Sequence, residues 1–440
     1  MIANGEVISV FPDDNEIDIP AFLLRSAQVT GRIRHLHPEI EQHEDSLFMP
    51  DGWIVATIEP RDGVGEYISD DCPIERTIRS ARYLHMAYRR WIRGHEQSTF
   101  QGKTTAGERG TINHALRKPT CTGEEVVNSN RPFRFGVTTA NADSANDWSE
   151  KVRKIEALGY STVTIPDHFP NRLAAVPALV AAAAATSTLR LGSWVFCNDF
   201  RHPAMVYKEA ATIDLLSGGR FELGIGAGWL KAEYDMTGIP FDPPGTRVAR
   251  MEEAVRIIKG LARDDPLDFQ GDHYRISGLT GAPKPVQQPL PPLYIGGGGK
   301  RLLTFAAQEA DIVGFGAKAL PGGGLDTADS SAAALKRKVG WVNRAAQDAG
   351  TDPERNLLVF LFELTDDRRA AAERLAEHLP GMTEDDILAS PHILLGSLDE
   401  MTDQVRRTRE EFGISYFVLN TGNADQIEPF SGIVKHLAGR

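Results

Sequence analysis

From residue 131 to the C-terminus the sequence repeats one alternation, a short apolar run followed by a segment whose apolar residues fall at helical spacing. FRFGVTTA (133–140), TVTIP (162–166), LRLGSWVF (189–196), RFELGIGAG (220–228), PLYIGGGG (292–299), ADIVGFGA (310–317), NLLVFLFEL (356–364) and ISYFVLNT (414–421) read as strands. Between them, Trp148, Val152, Ile155 and Leu158 mark one face of a helix, and residues 176–186 form an Ala-rich one. Pro203 starts a further helix and Gly218-Gly219 ends it. Strands such as NLLVFLFEL are apolar throughout, as parallel strands covered by helices must be. Eight βα units favour a closed (β/α)8 TIM barrel over an open doubly wound sheet. No G-x-G-x-x-G follows the first strand, which weakens the dinucleotide-fold alternative. The fold class expected is therefore α/β, a barrel over residues 131–440. An insertion before the fifth strand, with LDFQGDHYRI as a hairpin turning at Gly271 and then KPVQQPLPP, is a candidate lid or dimer element. A homodimer is the expected assembly.

Residues 1–130 form an extra N-terminal segment of uncertain fold, with acidic patches such as PDDNEID and HPEIEQHED. A strand pair is expected around DGWIVATIEP and EYIS, and a helix over ERTIRSARYLHMAYRRWIR, whose arginines suit the nearby acidic runs better than nucleic acid. The polar stretch from Thr99 to Asn130 reads as a linker. No motif here carries chemistry, and the partner of this extension, if it has one, is unknown.

The net charge of −12 argues against a nucleic-acid or anionic-membrane surface as the main business of the chain. The most apolar stretch, PALVAAAAATSTL, is too short to span a bilayer, and the first residues lack the pattern of a secretory signal. Cys72, Cys121 and Cys197 stand far apart in no ligand spacing, so neither a disulfide framework nor a metal site is expected, and the reducing cytoplasm is the expected location.

The mouth of such a barrel, at the C-terminal ends of its strands, is where an active site lies. The second strand ends in Asp167-His168, the third in Trp194-Val195-Phe196-Cys197-Asn198, the fourth in Gly224 to Trp229 and the fifth in Gly296-Gly297-Gly298-Gly299-Lys300-Arg301. Asp167-His168 alone reads first as two solvated turn residues. The glycines of the fifth strand would let backbone N–H groups approach a phosphate, with a helix N-terminus and the cations Lys300 and Arg301 beside them. The same run also reads as a flexible turn with two surface cations. Trp229 is either core or the wall of a substrate pocket. Taken together the four strand ends point to a phosphorylated planar cofactor across strands two to five and a small-molecule substrate. His168 would exchange the proton.

The stretches PDHF (166–169), DFRHPAMVYKEAATIDLLSGGRFELGIGAGW (199–229), FDPPGTRVARMEEAVRIIKGL (241–261) and PPLYIGGGGKRLLTFAAQEADIVGF (291–315) carry a resemblance. From about residue 133 the chain resembles the bacterial-luciferase-like (LLM class) superfamily of flavin and deazaflavin oxidoreductases, most of all its branch dependent on coenzyme F420. The resemblance implies F420 as cofactor, with FMN and a luciferase-like monooxygenase activity as the alternative. It implies a non-proline cis peptide near Trp194-Val195 beside the cofactor ring, Asp167 as a carboxylate near that ring and His168 as the catalytic imidazole. It places Ala227 and Gly228 beside the ring and Gly296, Gly297, Gly298 and Gly299 on the phosphate side. Trp229 stands where the sugar-phosphate dehydrogenases of this branch carry a glutamate, which implies a less polar substrate.

Overall fold

The computed structural model describes residues 131–421 and 424–440, together with short strands between residues 2 and 57. The chain divides into two compact units, Met1–Arg117 and Lys118–Arg440, so the division falls inside the polar stretch read as a linker.

In the first unit, strands Glu41–His43, Ser46–Phe48 and Trp53–Thr57 pair antiparallel in sequence, and Phe11–Pro12 flanks the last of them. The strand at Trp53–Thr57 is the one expected within DGWIVATIEP, but it pairs with residues that precede it. EYIS and the arginine-bearing helix lie outside the described residues.

The second unit is a closed (β/α)8 barrel. Its strands are β1 Arg134–Thr138, β2 Thr162–Ile165, β3 Arg190–Ser193, β4 Phe221–Gly226, β5 Leu293–Gly297, β6 Ile312–Phe315, β7 Glu354–Val359 and β8 Tyr416–Asn420. Each pairs parallel with the next, and β8 returns to β1 through Tyr416↔Arg134 to Asn420↔Thr138. The helices are α1 Ala145–Ala157, α2 Ala175–Ala185, α3 Pro203–Ser217, α4 Lys231–Thr237, α5 Pro244–Leu261, α6 Lys300–Glu309, α7 Ala332–Ala349, α8 Arg368–Ala376, α9 Glu384–Ala389, α10 Leu398–Phe412 and α11 Ile427–Leu437. Strands buried on both faces, such as β6, read as continuous apolar runs because helices cover the outside and side chains fill the inside. No helix among the described residues is long and apolar enough to cross a membrane.

The local signals act as their chemistry requires. Pro203 is the first residue of α3, and Gly218 closes that helix in the left-handed conformation at φ 68°. The insertion is a hairpin, Leu267–Gln270 antiparallel to Arg275–Leu279, and the buried-side carboxylate of Glu253 on α5 accepts the backbone N–H groups of Asp272, His273 and Tyr274 at 2.9–3.2 Å. The hairpin is thus pinned to α5.

Several elements depart from the sequence expectation, the short helices α4 and α9 among them. NLLVFLFEL is two strands, because at Phe360 the chain leaves the barrel sheet to bond with His392, and Leu361–Leu364 pairs parallel with Ile393–Gly396. That second strand, with α8 and α9, builds a separate small apolar cluster. Helix α10 also lay unread before β8, although Ser397 and Glu400 form a reciprocal capping box at its start.

The N-terminal end of the barrel is tied by charge. Arg134 of β1 meets Glu222 of β4 at 2.7 Å and Glu354 of β7 at 2.8 Å, and Arg190 of β3 meets the same Glu222 at 2.6 Å. Burial pushes the Glu222 carboxyl up, but the two guanidiniums outweigh it and hold the group below its usual range. These pairs join strands far apart in sequence at the end opposite the candidate site, where they serve closure of the barrel.

Candidate active site

At the C-terminal mouth one cavity is lined by the ends of β2 to β7, including Asp167, His168, Trp194, Val195, Gly228, Trp229, Gly296 and Gly297. Those eight of the residues singled out in the sequence on strands two to five therefore converge on one place. Ala227 is buried just beneath the rim, and Gly298, Gly299 and Lys300 continue from β5 away from the cavity lining.

His168 is held by a group the sequence reading missed. Its Nδ1 lies 2.9 Å from both carboxylate oxygens of Glu233 on α4, and Glu233 also accepts the backbone N–H of Phe169 at 3.0 Å. Glu233 is 2% exposed, whereas the His168 side chain keeps 24% of its surface open. Trp229 meets the His168 ring edge-on, with centroids 6.0 Å apart. Half-buried and facing the cavity, Trp229 is wall and not core.

Asp167 has protein partners of its own. Its carboxylate makes a two-pronged pair with Arg201 and accepts the Cys197 backbone N–H at 3.0 Å. It therefore fastens the end of β2 to the segment after β3. In that segment the Trp194–Val195 peptide is cis. Gly224 and Gly226 face it from β4: a Cβ on Gly224 would stand 2.0 Å from the Ser193 carbonyl oxygen, and one on Gly226 would stand 2.5 Å from Val195 Cγ2. The G-I-G pattern is thus a demand of backbone approach. At Gly228 the backbone has φ 76°, and a Cβ would fall 1.9 Å from the Tyr234 hydroxyl oxygen.

Tyr234 anchors the floor behind these glycines. Its hydroxyl donates to Asp199 at 3.0 Å and lies 3.4 Å from Cys197 Sγ, while Arg250 of α5 pairs with Asp199 at 3.1 Å. Burial pushes the Cys197 thiol up to about 12, only partly opposed by the Tyr234 bond, so it stays a neutral thiol. On the far wall, Lys338 of α7 is buried and donates to the carbonyls of Gly316 at 2.8 Å and Asp329 at 2.7 Å. This braces the loop after β6. Buried His392 bonds the Leu358 carbonyl at 2.8 Å, and burial lowers its pKa to about 4, which makes it a neutral strut behind that wall.

The two cations after the fifth strand separate. Lys300 is exposed at the start of α6, but Arg301 pairs with Glu252 of α5 at 2.8 Å and is directed away from the cavity. Gly299, the N-cap of α6, makes no side-chain cap bond, and nothing lies within 4 Å of where its Cβ would be. That helix N-terminus is open to an anion. Among the described residues no group of His, Cys, Asp and Glu could hold a metal ion, and no lysine or arginine lines the cavity.

The profile of the family described as luciferase-like monooxygenase matches residues 129–411. The chain belongs to that family. Among luciferase-like relatives, it is 37% identical over 109 residues to an FMNH(2)-dependent dimethylsulfone monooxygenase of Pseudomonas putida, a match covering 25% of this chain and 30% of that one. It is 31% identical over 176 residues to an F420-dependent glucose-6-phosphate dehydrogenase of Amycolatopsis mediterranei, covering 38% of this chain and 51% of the relative. The chain thus spans about half the length, or less, of these curated relatives. A solved coenzyme F420 dependent tetrahydromethanopterin reductase from Methanopyrus kandleri superposes with a TM-score of 0.57 at 18% identity, covering 70% of this chain and all of that one. The likeness shows the barrel fold. Luciferase-like proteins of this kind include both F420-dependent enzymes and monooxygenases.

Proposed function

We propose that this chain is an F420-dependent oxidoreductase that transfers a hydride between the deazaflavin and an organic substrate, with His168 moving the accompanying proton. The observation that carries the reading is the His168–Glu233 pair, facing a mouth lined largely by glycine backbone and aromatic rings. The residues present fit a flat, phosphorylated group. Trp194, Val195, Ala227 and Gly228 would hold its ring, and Gly296 to Gly299 with Lys300 and the open start of α6 would take its phosphate side. Asp167 serves by fixing the segment that carries the cis peptide. When bound, the deazaflavin supplies a carbon centre restricted largely to two-electron hydride chemistry.

The substrate end of the cavity is walled by Trp229, Phe200 and Leu230, with no cation of its own. That favours an uncharged, weakly polar substrate over a sugar phosphate, whose dianion would be left without a counter-charge. The second reading is an FMN-dependent monooxygenase, favoured by the match to the Pseudomonas putida protein, and it would require a flavin reductase and dioxygen. Purification from a host that makes both FMN and F420 separates the two. The absorption spectrum and mass of the co-eluting cofactor should be those of F420; FMN would move the chain to the monooxygenase reading.

A further inference from the structure

The geometry points to Glu233 as the residue that sets the tautomer of His168, holding the ring proton on Nδ1 so that Nε2 is the atom that accepts a proton at the cavity. An ionised carboxylate offers acceptors only, so a neutral imidazole whose Nδ1 stands 2.9 Å from both its oxygens must carry hydrogen there. The carboxylate is not free to turn. Oε1 also accepts the Phe169 N–H at 3.0 Å, and the residue is 2% exposed. Helix α4 is short, and the Thr237 hydroxyl donates back to the Glu233 carbonyl at 2.8 Å, one turn on. Among the described residues no lysine or arginine pairs with Glu233, so His168 is its one charge-capable partner. A side-chain network that fixes which imidazole nitrogen is protonated decides whether the ring is poised as base or as donor.

This inference rests on the proposed function only for its consequence. With a bound cofactor supplying the hydride chemistry, Nε2 would accept the proton of the substrate heteroatom next to the oxidised carbon, and in the reverse direction Nε2–H would return it. Glu233 touches neither partner and is a positioning residue.

The test uses the full chain labelled with ¹⁵N at the histidine rings, with His168→Ala identifying the His168 signals. In the wild-type protein with the ring neutral, the Nδ1 signal should be that of a protonated nitrogen and the Nε2 signal that of a bare one. A glutamine at this position would keep an oxygen within reach of both the Phe169 N–H and Nδ1, whereas Glu233→Leu leaves Nδ1 no acceptor, so the proton should move to Nε2 and the two signals should exchange character. Turnover that requires a proton should fall at least ~100-fold in this variant, since a placed base contributes about 10²–10⁴-fold. Cofactor Kd should stay within about two-fold, because the interaction removed does not contact the cofactor. A wild-type ring protonated on Nε2, or a Glu233→Leu protein whose His168 keeps its proton on Nδ1, would overturn the inference. The wild-type measurement stands even if the variant does not fold. An exchanged tautomer supports the inference even where His168→Ala retains full turnover, a result that would count against the proposed function alone.

Discussion

His168→Ala is expected to lower kcat by about 10²–10⁴-fold while cofactor Kd changes by no more than about two-fold. The side chain is the one titratable group at the mouth that combines an open edge with a buried anchor, and it makes no contact that shapes the glycine walls. Asp167→Ala should behave differently. It removes the acceptor of the Cys197 N–H and strips the two-pronged partner from Arg201, which keeps Glu209 at 3.3 Å and the face of the Phe196 ring. The segment holding the cis peptide then loses its tie to β2, so cofactor affinity and turnover should fall together. The check is a steady-state and binding comparison of the two variants with an artificial hydride acceptor whose reaction also takes a proton. Equal losses of affinity in both would mean that His168 is part of the binding surface and not the proton carrier. Full activity in both would make the strand-two pair a pair of turn residues, whose removal costs only about 0.5 kcal/mol.

Gly224→Ala and Gly340→Ala should move stability in opposite directions. At Gly224 the added methyl would meet the Ser193 carbonyl oxygen at 2.0 Å, and that atom is backbone in the strand next door. The β3–β4 pairing must open to admit it, a cost of about 3 kcal/mol or more for overpacking that no rotamer relieves. Since the same opening displaces the Trp194–Val195 segment, binding at the mouth should weaken as well. Gly340 sits inside α7 with nothing within 4 Å of its Cβ position, so alanine there should add about 0.5–1 kcal/mol through helix propensity and a less flexible unfolded chain. Denaturant midpoints of the two variants against the parent measure both. A tolerated Gly224→Ala would show that β3 and β4 do not approach as described.

The barrel was legible because its rhythm is set by elementary periodicities, with apolar runs for strands buried on both faces and helical spacing between them. The rhythm hid what broke it. NLLVFLFEL reads as one strand because β7 and the following Leu361–Leu364 are both apolar, and only the partner of each distinguishes them. The strand Ile393–Gly396 is four residues long and carries no alternation to betray it.

At the site, the glycines and Asp167-His168 were visible as unusual residues at strand ends. Their partners were not. Glu233 lies in KAEYDMT, where Lys231 and Asp235 pair with each other at the surface and make the whole helix look solvated. The clue available was position, since a carboxylate in the unit that follows β4 returns to the same mouth. Arg301 shows the converse. Its place after four glycines suggested an anion site, yet Glu252, distant in sequence, takes it.

The central claim is that this mouth binds a deazaflavin, and isothermal titration of the full-length protein with F420 and with FMN, under one buffer and temperature, tests it most directly. The account predicts saturable one-to-one binding of F420, with FMN bound at least ~10-fold more weakly, a difference of about 1.4 kcal/mol. Tighter binding of FMN, or heat from neither cofactor, would contradict it.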